Sequence, residues 1–427
     1  MKFNIVRRCY NAIFTVVLPF VFFRLLWRSR KTFTYRKRWL ERVGIFTVPV
    51  KSGGIWVHAV SVGETIASIP VIRALKKKYP TELITVTTTT PTGSMCVKTN
   101  FGDSVFHVYM PYDVSWALYG FYKRVQPKLC VILETELWPN LLHICDKWHL
   151  PVIIINARLS LKSFLGYKKF GWIVKAMLQQ VTCVVTQSDL DGNRFLQLGL
   201  KAKQLVVSAN IKFDITISKK HEELGKKLRA CLGERPIWIA ASTHEGEEAK
   251  ILSAFSKIKE NFSTVLLILV PRHPERFTEI TTLVENHGFT VVRRSTGETC
   301  SSDIDVYIGD SIGELGILYQ TADVAFIGGS LVPVGGHNML EAAAIGIPIV
   351  CGPYLYNFIE VSQKMLKAKA MLIATDVNAL TEIINEWLLL QEQARIVGLK
   401  GLIVVAQNQG ATQKIISVIE KICKSLL

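Results

Sequence analysis

The sequence predicts an α/β protein built from two doubly wound, Rossmann-like domains. Three observations carry that expectation. From residue 55 onward, short apolar runs alternate with helical segments, which means a parallel sheet with helices on both faces. The alternation restarts after a charged connector at residues 214–235. The stretch GGSLVPVGGHNMLEAAAIGIPIVCGP, residues 328–353, follows the apolar run 324–327 and reads as a strand, a glycine turn and a helix opening near Asn338. A helix start at the carboxyl end of a parallel strand suits a phosphate or nucleotide.

In order along the chain, residues 55–60 read as the first strand, followed by a helix to Tyr79 that ends in Lys76, Lys77 and Lys78, where cations suit the dipole. Residues 83–88, 129–133, 152–155 and 182–186 read as further strands, and Pro139 suits the first turn of a helix. The second set comprises residues 237–240, 265–270, 290–293, 306–308, 324–327 and 347–350. Gly346 is placed to end the helix before the last of these. IWVHAVSVGET at 55–65 and IWIAASTHEGEE at 237–248 resemble one another as strand, polar turn and a helix opening with Gly-Glu. The expected organisation is a membrane anchor and basic flank at 1–45, a first domain at 46–213 and a second at 214–427. The last helix, in residues 398–427, is a candidate to pack across domains.

Composition bounds the function. A chain of 427 residues that is 49% hydrophobic buries large cores. A net charge of +17 favours anionic partners. Nucleic acid is the least expected of them, because no RNP-like, zinc-finger or helix-turn-helix pattern occurs. The nine cysteines form no C-x-x-C pair, so reduced thiols are expected rather than zinc or a disulfide framework. Asp303-Ile304-Asp305 has the form of a metal-binding D-x-D but adjoins a strand, and no metal site is expected. The N-terminus is apolar from Cys9 to Leu26 apart from Asn11, Thr15 and Arg24. That length is marginal for a bilayer span. The cations Arg24, Arg28, Arg30, Lys31, Arg36, Lys37 and Arg38 follow. Such a cluster stays cytoplasmic and is drawn to an anionic leaflet, so an anchor is expected, either spanning or lying in the interface.

Several turns carry candidate chemistry, each with a plainer alternative. Ser61 and Glu64 have the spacing of a capping box, and a carboxylate at a helix start is expected to stay ionised, as a general base requires. Glu134, Glu136 and Trp138 follow a strand directly; the alternative is a set of helix-start acids before Pro139. Lys212 lies where the first domain gives way to the second. Arg272, after the strand 265–270, is placed to meet a phosphate or carboxylate with two parallel hydrogen bonds. Ile312, Gly313 and Glu314 open another helix, and Asn338 with Glu341 has the spacing of one more capping box. Three such turns on one rim of the second domain are stronger than any one. No Walker A motif or well-placed G-x-G-x-x-G occurs.

Taken together, HAVSVGET (58–65), ETELWPN (134–140), NARLS (156–160), ANIKFD (209–214), STHEGEE (242–248), PRHPER (271–276), IGEL (312–315) and GGSLVPVGGHNMLEAA (328–343) closely resemble the bacterial Kdo transferases. These lipopolysaccharide enzymes transfer 3-deoxy-D-manno-octulosonic acid (Kdo). The resemblance runs over nearly the whole chain. It implies the GT-B architecture of two facing Rossmann-like domains, CMP-Kdo as donor, and a lipid A precursor as acceptor at the cytoplasmic face of the bacterial inner membrane. It implies Glu64 as general base, and Glu134 and Lys212 as groups that stabilise the transition state. CMP would be held by Arg272, His273, Ile312, Gly313, Glu314, Asn338, Met339, Leu340 and Glu341, without a metal or other cofactor. Lys162, Lys168 and Lys169, near Phe164 and Leu165, are candidates to meet the acceptor. Other GT-B nucleotide-sugar transferases or epimerases, and a non-catalytic nucleotide-sugar-binding protein, are the alternatives. The number and linkage of Kdo residues added are not legible.

Overall fold

The computed structural model describes residues 2–28, 38–48, 51–215 and 217–424. The cations Arg30, Lys31, Arg36 and Lys37 of the basic flank lie outside them. The chain divides into two compact units, Met1–Asp214 with Gly410–Leu427, and Ile215–Gln409.

The first unit holds seven parallel strands: β1 (Ile55–His58), β2 (Ile84–Thr88), β3 (Phe106–Tyr109), β4 (Leu129–Leu133), β5 (Val152–Ala157), β6 (Cys183–Thr186) and β7 (Leu205–Val207). Their order is β3-β2-β1-β4-β5-β6-β7. Chain direction across the sheet reverses between β1 and β4, and the carboxyl ends of those two strands are where such sheets bind ligands. The strands are apolar on both faces because helices cover both, and Val57, Val131, Ile153 and Val185 are fully buried.

The second unit repeats the plan with β8 (Ile237–Thr243), β9 (Leu266–Pro271), β10 (Val291–Arg293), β11 (Val306–Ile308), β12 (Val324–Ile327), β13 (Ile349–Cys351) and β14 (Met371–Ile373). The order is β10-β11-β9-β8-β12-β13-β14, with the reversal between β8 and β12. The sequence reading had not placed β3, β7 and β14. All three are short edge strands: β3 carries His107 among its apolar residues, and β7 and β14 are apolar but only three residues long.

Two boundaries differ from expectation. The second domain does not run to the C-terminus. The helix Gln391–Asn408 ends there, and Gly410, at φ +100°, turns the chain into the helix Ala411–Lys424, which packs on the helix Val62–Lys78 of the first unit. Asp214 receives the N–H groups of Gly410 and Thr412, which fixes this return. The helix opening near Asn338 is only Leu340–Ala343, four residues long.

At the N-terminus a helix spans Lys2–Arg28, of which Phe3–Trp27 is long and apolar enough to cross a membrane. One stripe docks on the first unit. Arg7 donates to Asn140 (2.9 Å), and Asn11 accepts from the Ser115 N–H (2.7 Å) and from Asn140 (3.1 Å). Leu18 is buried beside Val114 and Ala117, and Phe14 and Phe22 meet Tyr112 edge-on. The other stripe, Ile13, Val16, Phe20, Phe23 and Trp27, is exposed.

Candidate active site

At the carboxyl edge of the first sheet, β1 ends in a turn that starts the helix Val62–Lys78. Ser61 accepts from the Glu64 N–H (3.3 Å), and the Glu64 carboxylate receives the N–H of Val60 (2.8 Å) and the hydroxyl of Ser61 (2.9 Å). The capping box is therefore real. It does not hold Glu64 firmly ionised. Burial outweighs these hydrogen bonds, the neighbouring carboxylates of Glu134 and Glu136 push the same way, and the acid is lifted to about 7. That value suits a base that must gain and lose a proton near neutral pH.

Glu134, the first residue after β4, sits at φ +56°, a left-handed conformation uncommon for residues other than glycine. Its N–H donates to the Ile155 carbonyl (2.9 Å), and Arg158 lies 3.6 Å from its carboxylate. The Thr135 hydroxyl donates to the Arg158 carbonyl, closing the turn. Glu136 accepts from the Trp138 indole (2.7 Å), and burial lifts its pKa. Three carboxylates thus meet where the strand order reverses. Trp138 meets His58 edge-on, and Asn140 of the same segment ties the N-terminal helix to this rim.

Lys212 is half-buried on a single 3₁₀ turn, Ile211–Phe213, that packs against the helix carrying Glu64. Asn210 accepts from the Lys212 N–H (3.0 Å) and Asn156 from the Ile211 N–H (3.0 Å). Asn156 itself sits at φ +52°, at a register shift in β5. Lys162, Lys168, Lys169 and Leu165 are exposed, and Phe164 is buried in the core with Lys168 Nζ 6.0 Å over its ring.

In the second unit, the glycine loop after β12 is not an open cradle. Its N–H groups at Gly329 (2.6 Å), Ser330 (2.9 Å) and Leu331 (2.8 Å) all donate to the buried carboxylate of Glu247. The glycines serve close packing: a β-carbon at Gly328 would stand 2.5 Å from the Ser242 carbonyl oxygen. Gly329, at φ +67°, leaves room for His337 and His244. Asn338 does not form the capping box that was the plainer alternative for its spacing. It donates to Glu341 (3.0 Å) and accepts from the Leu340 N–H (3.2 Å). Burial raises the Glu341 pKa, while Asn338 and Arg272 oppose it. Met339 and Leu340 are buried.

Arg272, just past β9, is exposed, and its side chain has no ion pair among the described residues. Arg276, by contrast, is committed to the buried Glu248 (2.7 Å). Ile312 is 83% exposed, Gly313 takes φ +87°, and Glu314 is gripped by Arg294 (3.0 Å), which holds its carboxyl low. Asp305 of the D-x-D pairs with Lys259 and accepts from the Thr290 N–H (3.1 Å), so it is a structural acid. Among the described residues no three His, Cys, Asp or Glu side chains are placed to hold a metal ion.

Sequence reasoning had not singled out two histidines. His244 directly follows the bulged strand β8, where Ser242 is at φ +59°, and His337 follows the glycine loop after β12; their Nε2 atoms are 2.7 Å apart. Each is a lone histidine in the sequence, 93 positions from the other. The signal available was that both follow strands at the reversal point of the second sheet.

Residues 37–215 match the family model for 3-deoxy-D-manno-octulosonic-acid transferase. Over 419 residues, 96% of this chain and 97% of the relative, the sequence is 38% identical to the 3-deoxy-D-manno-octulosonic acid transferase of Haemophilus influenzae. The chain belongs to this transferase family. It is a glycosyltransferase. The Bordetella pertussis member is 34% identical over 75% of this chain and 76% of its own length. The UDP-GlcNAc 2-epimerase of Neisseria meningitidis, 13% identical with a TM-score of 0.56, covers 86% of this chain and 100% of its own and shares the fold alone. Both units have the parallel α/β build of GT-B glycosyltransferases.

Proposed function

We propose that this Kdo transferase moves Kdo from CMP-Kdo to a hydroxyl of a lipid A precursor, lipid IVA, with inversion at the anomeric carbon. The observation that carries the assignment of roles is Glu64, a buried carboxylate lifted to about 7 at the reversal point of the first sheet. The acceptor hydroxyl gives its proton to Glu64 as its oxygen attacks the anomeric carbon. The bond from that carbon to the phosphate oxygen breaks, and CMP leaves with the electron pair. Glu134 and Lys212 stabilise the charge that develops on the sugar and around it. Arg272 and His273, with the turn Ile312, Gly313 and Glu314 and the segment Asn338, Met339, Leu340 and Glu341, hold CMP. On this reading Arg272 meets the phosphate and no metal is required.

The N-terminal helix attaches the enzyme to the anionic inner membrane. Its polar stripe is engaged by Ser115 and Asn140, which supports a helix lying along the first unit with Ile13, Val16, Phe20, Phe23 and Trp27 toward lipid. The test is turnover of purified enzyme with CMP-Kdo and lipid IVA, with and without a chelator, read by mass spectrometry. Addition of Kdo units in both supports the reading, and the mass gives their number. Turnover of UDP-sugars alone, or binding without turnover, contradicts it.

A further inference from the structure

The ring planes of His244 and His337 lie within 4° of parallel with centroids 4.9 Å apart, and the two Nε2 atoms are in hydrogen-bond contact at 2.7 Å. The rings therefore meet end to end at nitrogen. Two imidazoles in this arrangement share one N–H···N bond. One ring donates, so its Nδ1 is a lone pair, and the other accepts, so its Nδ1 carries the proton. A third proton, added at the free Nδ1, leaves the inner bond intact and makes both outer nitrogens donors.

The surroundings disfavour a charge on the pair. Burial lowers the pKa of His337 to about 4, helped by His244, Arg272 and His273. Burial lowers that of His244 as well, with His273, Arg272 and Arg276. His273 stands edge-on to His244 at 5.1 Å. The acid next to the pair, Glu247, is saturated by the N–H groups of His244, Gly329, Ser330 and Leu331. The site therefore holds a guanidinium with no ion pair among the described residues and three imidazoles. The other carboxylates near them are the exposed Glu275, 3.8 Å from His273 Nδ1, and the half-buried Glu341, which interacts with Arg272. A basic site of this kind suits an anion.

Resting on the donor reading above, we propose that His244 and His337 act as one proton-accepting pair that becomes cationic when the phosphate of the donor nucleotide binds beside Arg272. The added proton comes from solvent. It stays on the imidazoles during transfer, facing the phosphate as its charge goes from −1 to −2 when the sugar–oxygen bond breaks.

The experiment is calorimetry of CMP binding to the detergent-solubilised full chain at pH 8, in buffers of different ionisation heat. CMP is then a dianion, since the second phosphate pKa is about 6, and any proton taken up goes to the protein. The wild type is expected to take up protons on binding CMP, approaching one per CMP as the pH is lowered from 8 to 7 through the raised pKa of the pair, as linkage requires of a group whose pKa rises on binding. Cytidine, which lacks the phosphate, should cause no uptake. His244→Gln and His337→Gln should each bind CMP with uptake near zero. CMP binding to the wild type without proton uptake overturns the pair and leaves the donor reading standing. Uptake that persists in both variants also overturns it. Absence of CMP binding to the wild type overturns the donor reading and the pair together. The wild-type measurement decides even where a variant fails to fold.

Discussion

The two sheets place opposite chemistries at equivalent points. In the first, the turns after β1 and β4 bring together Glu64, Glu134 and Glu136. In the second, the turns after β8, β9 and β12 bring together His244, Arg272, His273 and His337. Both rims lie where strand order reverses, and both depend on a non-glycine residue in the left-handed region, Glu134 in one and Ser242 in the other. Burial works against charge in each: it lifts the acids and lowers the imidazoles. The fold supplies the position, and the turn residues decide whether a proton or an anion is received there.

The largest effect should come from removing the base on the first rim. Glu64→Gln is expected to slow transfer by about 10²–10⁴-fold and to leave CMP affinity unchanged, as single-turnover kinetics and calorimetry would show. Its stability effect has two opposing parts. The folded pKa of Glu64 lies above the unfolded value of 4.5, so its contribution is present below pH 4.5 and lost as pH rises through about 7. Gln removes that loss. Both carboxylate oxygens accept hydrogen bonds, however, and the amide turns one acceptor into a donor facing Val60 or Ser61. The melting temperature at pH 8 should therefore shift little. A large drop in stability together with full activity would reduce Glu64 to a cap.

On the second rim, Arg272→Ala should weaken CMP binding by about 1.5–3 kcal/mol, the worth of a charge-assisted hydrogen bond. Turnover at saturating donor should fall less than in Glu64→Gln. If it falls equally while CMP affinity holds, the two rims do not divide the work as described. Glu134→Gly tests the strained turn. It should raise stability by about 1 kcal/mol by relieving a left-handed side chain while lowering turnover. A stability loss would make that turn structural. The smallest catalytic effect is expected from Ile13→Ser, Val16→Ser and Phe20→Ser combined on the exposed stripe of the N-terminal helix. Membrane sedimentation should drop while activity in detergent persists. Removing the whole helix is a poorer test, because it uncovers Tyr112 and Val114 and strips Asn140 of its partners.

Most of the strand plan was legible because parallel strands covered on both faces read as unbroken apolar runs. Short β3, β7 and β14 were not, since their pairing comes from neighbouring strands rather than local pattern. The capping box at Ser61 and Glu64 was legible from spacing. Its consequence was not, because the carboxylates that share its rim lie 70 or more residues away and burial has no local signature. The glycines at 328 and 329 announced a close approach, but the partner, Glu247 with the histidine pair, depends on two strands meeting. The last helix was expected to pack across domains and does return to the first unit, but the hinge that turns it, Gly410 with Asp214, carries no such message in sequence.

The central claim is that Glu64 is a base poised by burial, and the pH dependence of the single-turnover rate with both substrates saturating tests it most directly. The wild-type rate should rise tenfold per pH unit and level off with a midpoint near 7, following Glu64 ionisation. Glu64→Gln should show a slow rate without that rise. A wild-type midpoint near the ordinary carboxylate value, or a variant that keeps the same profile, would contradict the account.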